Sequence, residues 1–219
     1  QSDFVPPTLC KESVAHYLWN GFVPGPGTLI EDVYLLPAGS TMRISADGTV
    51  SEPQRYWTLP AQYSTVTSWE EFEGTALAAI RYRMIADVPV GVFLSGGVDS
   101  SVVAALAAKE HPEPIRTFTV TFEEAEYNEA PHAKAVSDAI GSVHQEIPLS
   151  GEYFRSNLEG AVDCIDQPSF DLLNTYIVSK AVAESGIKVS LSGVGGDELL
   201  GGYTSFKQLP ALRRLGVLK

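Results

Sequence analysis

The pattern of hydrophobic and polar positions becomes helical at residue 69. Between residues 69 and 84 apolar side chains recur every three or four positions, which is the spacing of an amphipathic helix. Ser68 and Glu71 have the spacing of a capping box, so we expect the helix to begin after Ser68. Residues 90–95 are then apolar on both faces, which is typical of a strand buried within a parallel sheet.

Helical and strand-like patterns continue to alternate along the rest of the chain. Strands that alternate with helices predict an α/β fold with a doubly wound, mainly parallel sheet. The sequence places the strands at residues 90–95, 115–122, 142–147 and 187–193. It places further helices at residues 101–110, 128–141 and 175–186, and a last helical pattern at residues 203–219.

The first sixty residues have a different pattern. Residues 11–20 have helical spacing, and the proline and glycine residues at 24–27 end it. Asp47 and Gly48 separate two strand-like segments, which indicates a hairpin with a tight turn. We therefore predict a small α+β piece over residues 1–60 and a second domain over residues 61–219, with the boundary at Pro60 and the polar run that follows it.

Composition narrows the class of protein and its partners. The chain is 44% hydrophobic and 19% charged with a mean hydropathy of +0.03, which is typical of a globular protein. No apolar run reaches the roughly 18 residues of a membrane span, and the N-terminus lacks a signal-peptide pattern. We therefore expect a cytoplasmic protein with no membrane partner.

Charge argues against one class of partner, and the cysteine positions argue against disulfide and zinc sites. The formal net charge of -12 argues against a nucleic acid partner, because phosphate backbones are normally bound by a basic face. Cys10 and Cys164 lie far apart and have no metal-binding spacing. We expect neither a disulfide nor a zinc site, and we expect both cysteines to be buried.

Residues 95–100, with the sequence SGGVDS, stand where a strand gives way to a helix. The two glycines allow a ligand to approach the backbone closely, and the helix N-terminus attracts anions. Ser95 and Ser100 add hydroxyl donors. Asp99 would repel a phosphate unless a metal ion lay between them, so its presence indicates Mg²⁺. The alternative is a helix cap after a tight turn, which explains any two of these residues but not the whole set.

Residues 192–203, with the sequence SGVGGDELLGGY, repeat the arrangement after another strand. The carboxyl ends of parallel strands meet at one edge of a sheet, so both segments are expected to face one ligand. Asp99 and Asp197 would then share one Mg²⁺ that neutralises a pyrophosphate. A glycine-rich turn with Asp197 and Glu198 at a helix start is the alternative. The lysine of a P-loop and the spacing of a dinucleotide fingerprint are both missing from the sequence.

These motifs carry a resemblance to a known family. SGGVDSS resembles the pyrophosphate-binding loop of the N-type ATP pyrophosphatases, and with LSGVGGDELLGGY it is similar to the synthetase domain of the glutamine-dependent asparagine synthetases. The segment GFVPGPGTLIEDVYLLPAGSTMRI resembles the last part of their glutaminase domain. The resemblance implies an adenine nucleotide alpha hydrolase-like fold over residues 61–219, truncated at its C-terminus, after the remnant of an Ntn-hydrolase-like domain.

The resemblance also implies a reaction and its cofactors, ATP and Mg²⁺. A small-molecule carboxylic acid, aspartate or an analogue, would attack ATP to give an acyl-adenylate and pyrophosphate. Ammonia derived from glutamine would then displace AMP to form an amide. A homodimer is compatible with the resemblance.

Roles for single residues follow only from matching the family motifs. Five residues would hold the pyrophosphate: Ser95, Gly96, Gly97, Asp99 and Ser100. The catalytic and metal-binding residues would be Asp99 and Asp197. The adenosine pocket would be lined by Leu94, Val120, Ser192, Gly193 and Tyr203. Core packing is the alternative for Leu94 and Val120.

Three departures from the family pattern leave alternatives open. Val194 stands where asparagine synthetases have a glutamate, which favours a related amidotransferase that acts on a different acid. Cys10 does not match the glutaminase nucleophile. The family's catalytic lysine lies beyond the last residue of this chain, so we expect an incomplete fragment. A catalytically inactive ATP-binding module is the second alternative.

Overall fold

A computed structural model of the protein describes residues 6, 8–59, 68–122, 129–167 and 171–214. Contacts divide the chain into two compact units. The first comprises Gln1–Val66 and Ser156–Ile177, and the second comprises Thr67–Arg155 and Val178–Lys219. The predicted domain boundary at Pro60 lies outside the described residues and stays a prediction.

The N-terminal segment of the first unit contains one helix and a short hairpin. Helix α1 spans Lys11–Asn20 and ends at Gly21, which adopts the left-handed conformation that favours glycine. Strands β1, Ser40–Thr41, and β2, Gln54–Arg55, pair antiparallel, and an isolated bridge joins Ile44 to Val50. The predicted helix and hairpin are confirmed, although the regular strands are only two residues long.

The second unit contains a four-stranded sheet in which every pair is parallel. Its strands are β3, Val90–Phe93, β4, Arg116–Phe122, β5, Val143–Leu149, and β6, Val189–Leu191. Their order is β5-β4-β3-β6, so the chain builds the sheet outward on one side of β3 and then returns to its other side. This reversal of direction confirms the predicted doubly wound α/β fold.

Helices connect the strands, as the alternating pattern predicts. They are α2, Trp69–Arg83; α3, Val98–Glu110; α4, Ala130–Ile140; α5, Gly151–Asp163; α6, Leu172–Glu184; α7, Gly196–Leu200; and α8, Ser205–Arg214. The Ser68 hydroxyl accepts a hydrogen bond from the Glu71 amide, which confirms the expected start of α2. Helix α5 has no counterpart among the predicted elements.

The core of the second unit lies between the sheet and helices α2, α3 and α4. Val92 and Leu94 are at most 1% exposed, and each such burial stabilises the fold by about 1.5–3 kcal/mol. Ala104 and Ala107 are fully buried, and their small side chains let α3 lie close to the sheet. The central strand is equally tight, because a Cβ at Gly91 would lie 2.4 Å from the Phe118 ring.

Both cysteines are free thiols. The expectation that both are buried is wrong, because Cys164 is exposed and Cys10 is half-buried. None of the helices in the described part of the chain combines the length and apolarity that crossing a bilayer requires.

Candidate functional site

The two glycine-rich segments lie at the point where the strand order of the sheet reverses. Residues 94–97, here called the first loop, connect β3 to α3, and residues 192–195, the second loop, connect β6 to α7. Strands β3 and β6 are neighbours in the sheet and run parallel, so both loops leave the same edge side by side. The crevice beside such a reversal is the usual ligand position in open α/β sheets.

The first loop owes its shape to its glycines. Gly96 has a φ of +81°, and a Cβ there would lie 2.5 Å from the Cβ of His132 and 2.8 Å from the amide nitrogen of Ala133. Only a residue without a side chain can pass so close to the start of α4. Gly97 precedes the first turn of α3 without a side-chain cap. The first amides of α3 therefore have no side-chain cap, as an anion site at a helix N-terminus requires.

Hydrogen bonds between hydroxyl groups stabilise the first loop from within. The hydroxyl oxygens of Ser95 and Ser100 lie 2.9 Å apart, and the Ser95 amide donates to the Ser100 hydroxyl at 3.2 Å. The Gly97 amide donates to the Ser95 hydroxyl at 3.2 Å. Ser100 is 8% exposed, whereas Ser95 is half-buried. The two predicted serines are thus close together, but their hydroxyl groups differ in access to solvent.

The second loop packs directly against the start of α3. A Cβ at Gly193 would lie 2.8 Å from the amide nitrogen of Ser100, and one at Gly196 would lie 2.5 Å from the Asp99 carboxylate. The structure therefore brings the two predicted motifs into contact. The contact depends on glycine at both positions of the second segment.

Asp197 lies at the start of α7 under the turn that follows this helix. The amides of Gly201 and Gly202 both donate to the Asp197 carbonyl, at 2.9 and 3.0 Å. A Cβ at Gly202 would overlap the Asp197 carboxylate, so the backbone passes directly beside that group. Beyond the turn, the Tyr203 hydroxyl donates to a carboxylate oxygen of Glu198 at 2.9 Å. The motif predicts Tyr203 at the site, but nothing in the sequence indicates its hydrogen bond to Glu198.

Three carboxylates act on the Tyr203 phenol. The hydrogen bond to Glu198 is the largest cause that raises the Tyr203 pKa, and the negative charges of Asp197 and Asp99 raise this pKa further. The charges of Asp99 and Asp197 therefore both act on the Tyr203 phenol.

Glycine backbone packs against the carboxylates of Asp99 and Asp197, and carboxylate oxygens are ligands that suit Mg²⁺. This ion typically takes one or two protein carboxylates and completes its coordination with phosphates and water. Within the described ranges, histidine, cysteine, aspartate and glutamate side chains form no cluster of three that could hold a metal without such help. Asp99 and Asp197 thus fit a metal that arrives with a phosphorylated ligand.

The residues assigned to an adenosine pocket differ in exposure. Leu94 is 1% exposed and lies in the core, which favours the core-packing alternative for its side chain. Val120 is half-buried in β4. Ser192 is exposed, and its hydroxyl accepts a hydrogen bond from the Val194 amide at 3.2 Å. Their contacts with a nucleotide stay predictions.

Two open cavities lie elsewhere on the second unit. One of about 400 Å³ lies at the first residues of β4 and β5, and one of about 340 Å³ lies at the last residues of the same strands. Neither is lined by a residue of the two loops.

The chain shows clear similarity to known proteins. Residues 71–218 match the family model described as asparagine synthase. The chain is 36% identical over 209 residues to a Mycobacterium tuberculosis protein named for asparagine synthetase, a match that covers 92% of this chain and 32% of that protein. It is 33% identical over 207 residues to asparagine synthetase 1 of Bacillus subtilis, covering 93% of this chain and 32% of that protein. The chain belongs to the asparagine synthase family.

The chain spans about a third of the length of these relatives. Among solved structures, NMN synthetase from Francisella tularensis matches with a TM-score of 0.44 at 16% identity, over 64% of this chain and 61% of that one.

Proposed function

We propose that this chain is the ATP-binding part of an ATP-dependent, amide-forming ligase of the asparagine synthetase type. The observation that carries the proposal is the contact between the two glycine-rich segments, residues 95–100 and 192–203, which places Gly196 against the Asp99 carboxylate. Asp99, Asp197 and the N-terminus of α3 then lie at the same edge of the sheet. Membership of the asparagine synthase family supports the same conclusion.

The reaction would proceed in two steps. An oxygen of the substrate carboxylate attacks the α-phosphorus of ATP, the bond to the β-phosphate oxygen breaks, and pyrophosphate leaves an acyl-adenylate behind. Ammonia derived from glutamine then attacks the acyl carbon, and AMP leaves with the bonding electron pair.

The first loop would bind the pyrophosphate through its backbone amides and Ser95. Asp99 and Asp197 would hold Mg²⁺, which offsets the phosphate charge when bound. The α3 N-terminus favours an anion by about 0.3–1 kcal/mol. The adenosine would lie against Val120, Ser192, Gly193 and Tyr203, with Leu94 in the core behind it.

A second candidate within the same class is an amidotransferase that acts on an acid other than aspartate. Val194 is 91% exposed in the second loop, and a valine side chain neither accepts nor donates a proton. An exposed apolar side chain at this place suits a substrate with an apolar part.

Acid-dependent exchange of labelled pyrophosphate into ATP tests the proposal and separates its two forms. Exchange that requires aspartate supports the asparagine synthetase form, and exchange that requires another carboxylic acid supports the amidotransferase form. A protein that binds Mg-ATP but exchanges no pyrophosphate with any acid is an ATP-binding module, which contradicts the ligase proposal.

A further inference from the structure

The Ser100 hydroxyl is directed into the first loop rather than toward the crevice. It donates to the Gly97 carbonyl at 3.1 Å and accepts from the Ser95 amide at 3.2 Å. The second loop packs against the Ser100 backbone, because Gly193 lies against the Ser100 amide. Ser100 is buried, at 8% exposure, whereas Ser95 is half-buried. An anion at the loop therefore meets Ser95 first.

The hydrogen bonds of the Ser95 and Ser100 hydroxyls depend on each other. Each hydroxyl has one proton, and the two oxygens are 2.9 Å apart, so one of them must donate to the other. While Ser100 donates to the Gly97 carbonyl, the donor to Ser100 must be Ser95. Neither proton is then available to an anion.

The loop has a second arrangement in which the Ser95 proton is released. If Ser95 donates to a phosphoryl oxygen, Ser100 has to donate to Ser95 and so leaves the Gly97 carbonyl. That carbonyl keeps a donor, because the Ser101 hydroxyl lies 2.7 Å from it. The exchange needs only the rotation of two hydroxyl groups, and no covalent bond changes.

We propose that Ser100 is a positioning residue that acts through Ser95. It holds the Ser95 amide and hydroxyl in place, and it becomes the donor to the Ser95 oxygen when Ser95 donates to a phosphoryl group. This inference rests on the proposed nucleotide function, and it differs from the expectation that both serines bind the pyrophosphate directly.

A double-mutant cycle with Mg-pyrophosphate as the probe tests the inference by calorimetric titration. Removing a hydrogen bond to a charged group costs roughly 10-fold to 100-fold in affinity, and we expect that loss for Ser95→Ala. Ser100→Ala should lose about tenfold. Ser95→Ala combined with Ser100→Ala should bind within about twofold of Ser95→Ala alone, because the Ser95 hydroxyl through which Ser100 acts on the ligand is already absent.

Ser101→Ala is the matched control, because this hydroxyl donates to the same carbonyl rather than to Ser95, and the Ser101 amide still donates to that carbonyl at 3.0 Å in the variant. We expect its affinity to stay within about twofold of the parent. Ser100→Cys, which keeps the size of the side chain but forms only weak hydrogen bonds, should behave like Ser100→Ala.

Losses that multiply in the double variant would show that Ser100 contacts the ligand itself. An equal loss in Ser101→Ala would reduce the role of Ser100 to supporting the Gly97 carbonyl. Either result overturns the inference.

Amide hydrogen exchange in the ligand-free protein separates failure of the inference from failure of the proposed function. The Ser95 amide donates to Ser100, so Ser100→Ala should accelerate its exchange while Ser101→Ala leaves it unchanged. A folded parent that binds no pyrophosphate would overturn the proposed function alone. Unchanged exchange of the Ser95 amide in Ser100→Ala would overturn the positioning role.

Discussion

Gly193 and Gly196 set how closely the second glycine-rich segment packs against the start of α3. The space that a side chain would need at Gly193 is occupied by backbone atoms of Asp99 and Ser100, which cannot move independently of α3. At Gly196 the same space is occupied by the Asp99 carboxylate. The site therefore depends on missing side chains as much as on the aspartates.

Gly193→Ala should separate the loops. The added methyl would lie 2.8 Å from the Ser100 amide nitrogen, and such overpacking typically costs about 1–3 kcal/mol of unfolding free energy. We expect at least about a tenfold loss of Mg-ATP affinity as well, measured by calorimetry alongside urea denaturation. Gly74→Ala is the control, because nothing lies within 4 Å of the Cβ position of Gly74 in α2. This substitution should raise the free energy of unfolding by about 0.5–1 kcal/mol. Unchanged ATP affinity in Gly193→Ala would show that close loop contact is not required.

His144 lies at one end of a chain of hydrogen-bonded hydroxyl groups. Its Nδ1 lies 2.9 Å from the Thr117 hydroxyl, which lies 2.8 Å from that of Ser142. Its buried Nε2 has no hydrogen-bond partner in the part of the chain that the structure describes. Burial lowers the pKa of His144 below its usual value; Lys134 lowers it further, whereas Glu146 and Asp138 oppose the shift.

The lowered pKa of His144 predicts a loss of stability at acid pH. Below an unfolded pKa of 6.5 the unfolded chain binds the proton more readily than the folded one, so the free energy of unfolding falls as pH decreases. We expect urea denaturation between about pH 8 and pH 5 to show that the free energy of unfolding of the parent falls with decreasing pH. The same plot should be flatter for His144→Gln. Ser142→Ala should lose about 1 kcal/mol yet keep the slope, because it removes a hydroxyl but no titrating group. Equal slopes in the parent and His144→Gln would contradict the account.

At the scale of elements, the order of strands and helices could be predicted because the periodicity is strong. Strands β3 and β4 consist mostly of apolar and β-branched residues, and α3 is rich in alanine. Helix α5 was missed because Gly151 and Gly160 weaken its propensity. A signal was nevertheless present, since the Ser150 hydroxyl accepts from the Tyr153 amide as an N-cap does.

The cap of α2 gives a prediction at this scale. Ser68→Ala should lower the free energy of unfolding by about 1 kcal/mol, because the Glu71 amide loses its acceptor. Ser68→Asp, which retains an acceptor, should stay close to the parent. Urea denaturation measures both variants. A loss of similar size in Ser68→Asp would show that the cap is not the cause.

Sequence could predict the residue types of the site but not all their roles. Two glycine-rich strand ends indicated one shared ligand site, and the contact between Gly196 and Asp99 shows that both segments meet. The orientation of the Ser100 hydroxyl and the bond between Tyr203 and Glu198 depend on tertiary packing. No periodicity or motif spacing contains that information.

At the scale of the whole molecule, a net charge of -12 opposes the approach of another anion. Attraction has to be local, from the α3 N-terminus and from a cation between the phosphates and the two aspartates. We therefore expect ATP affinity to fall at least about tenfold when Mg²⁺ is removed with a chelator, and to recover when it is restored. Equal affinity with and without Mg²⁺, measured by calorimetry, would contradict a metal role for Asp99 and Asp197.

The most direct test of the two-loop site is calorimetric titration of Mg-ATP into the parent, Asp99→Ala and Asp197→Ala. Asp87→Ala is the matched control, because it removes the same charge from an exposed residue before β3, at the opposite edge of the sheet. The account predicts binding by the parent and by Asp87→Ala, and loss of binding in both site variants. Mg-ATP binding that survives in both Asp99→Ala and Asp197→Ala, or no binding by the folded parent, would contradict it.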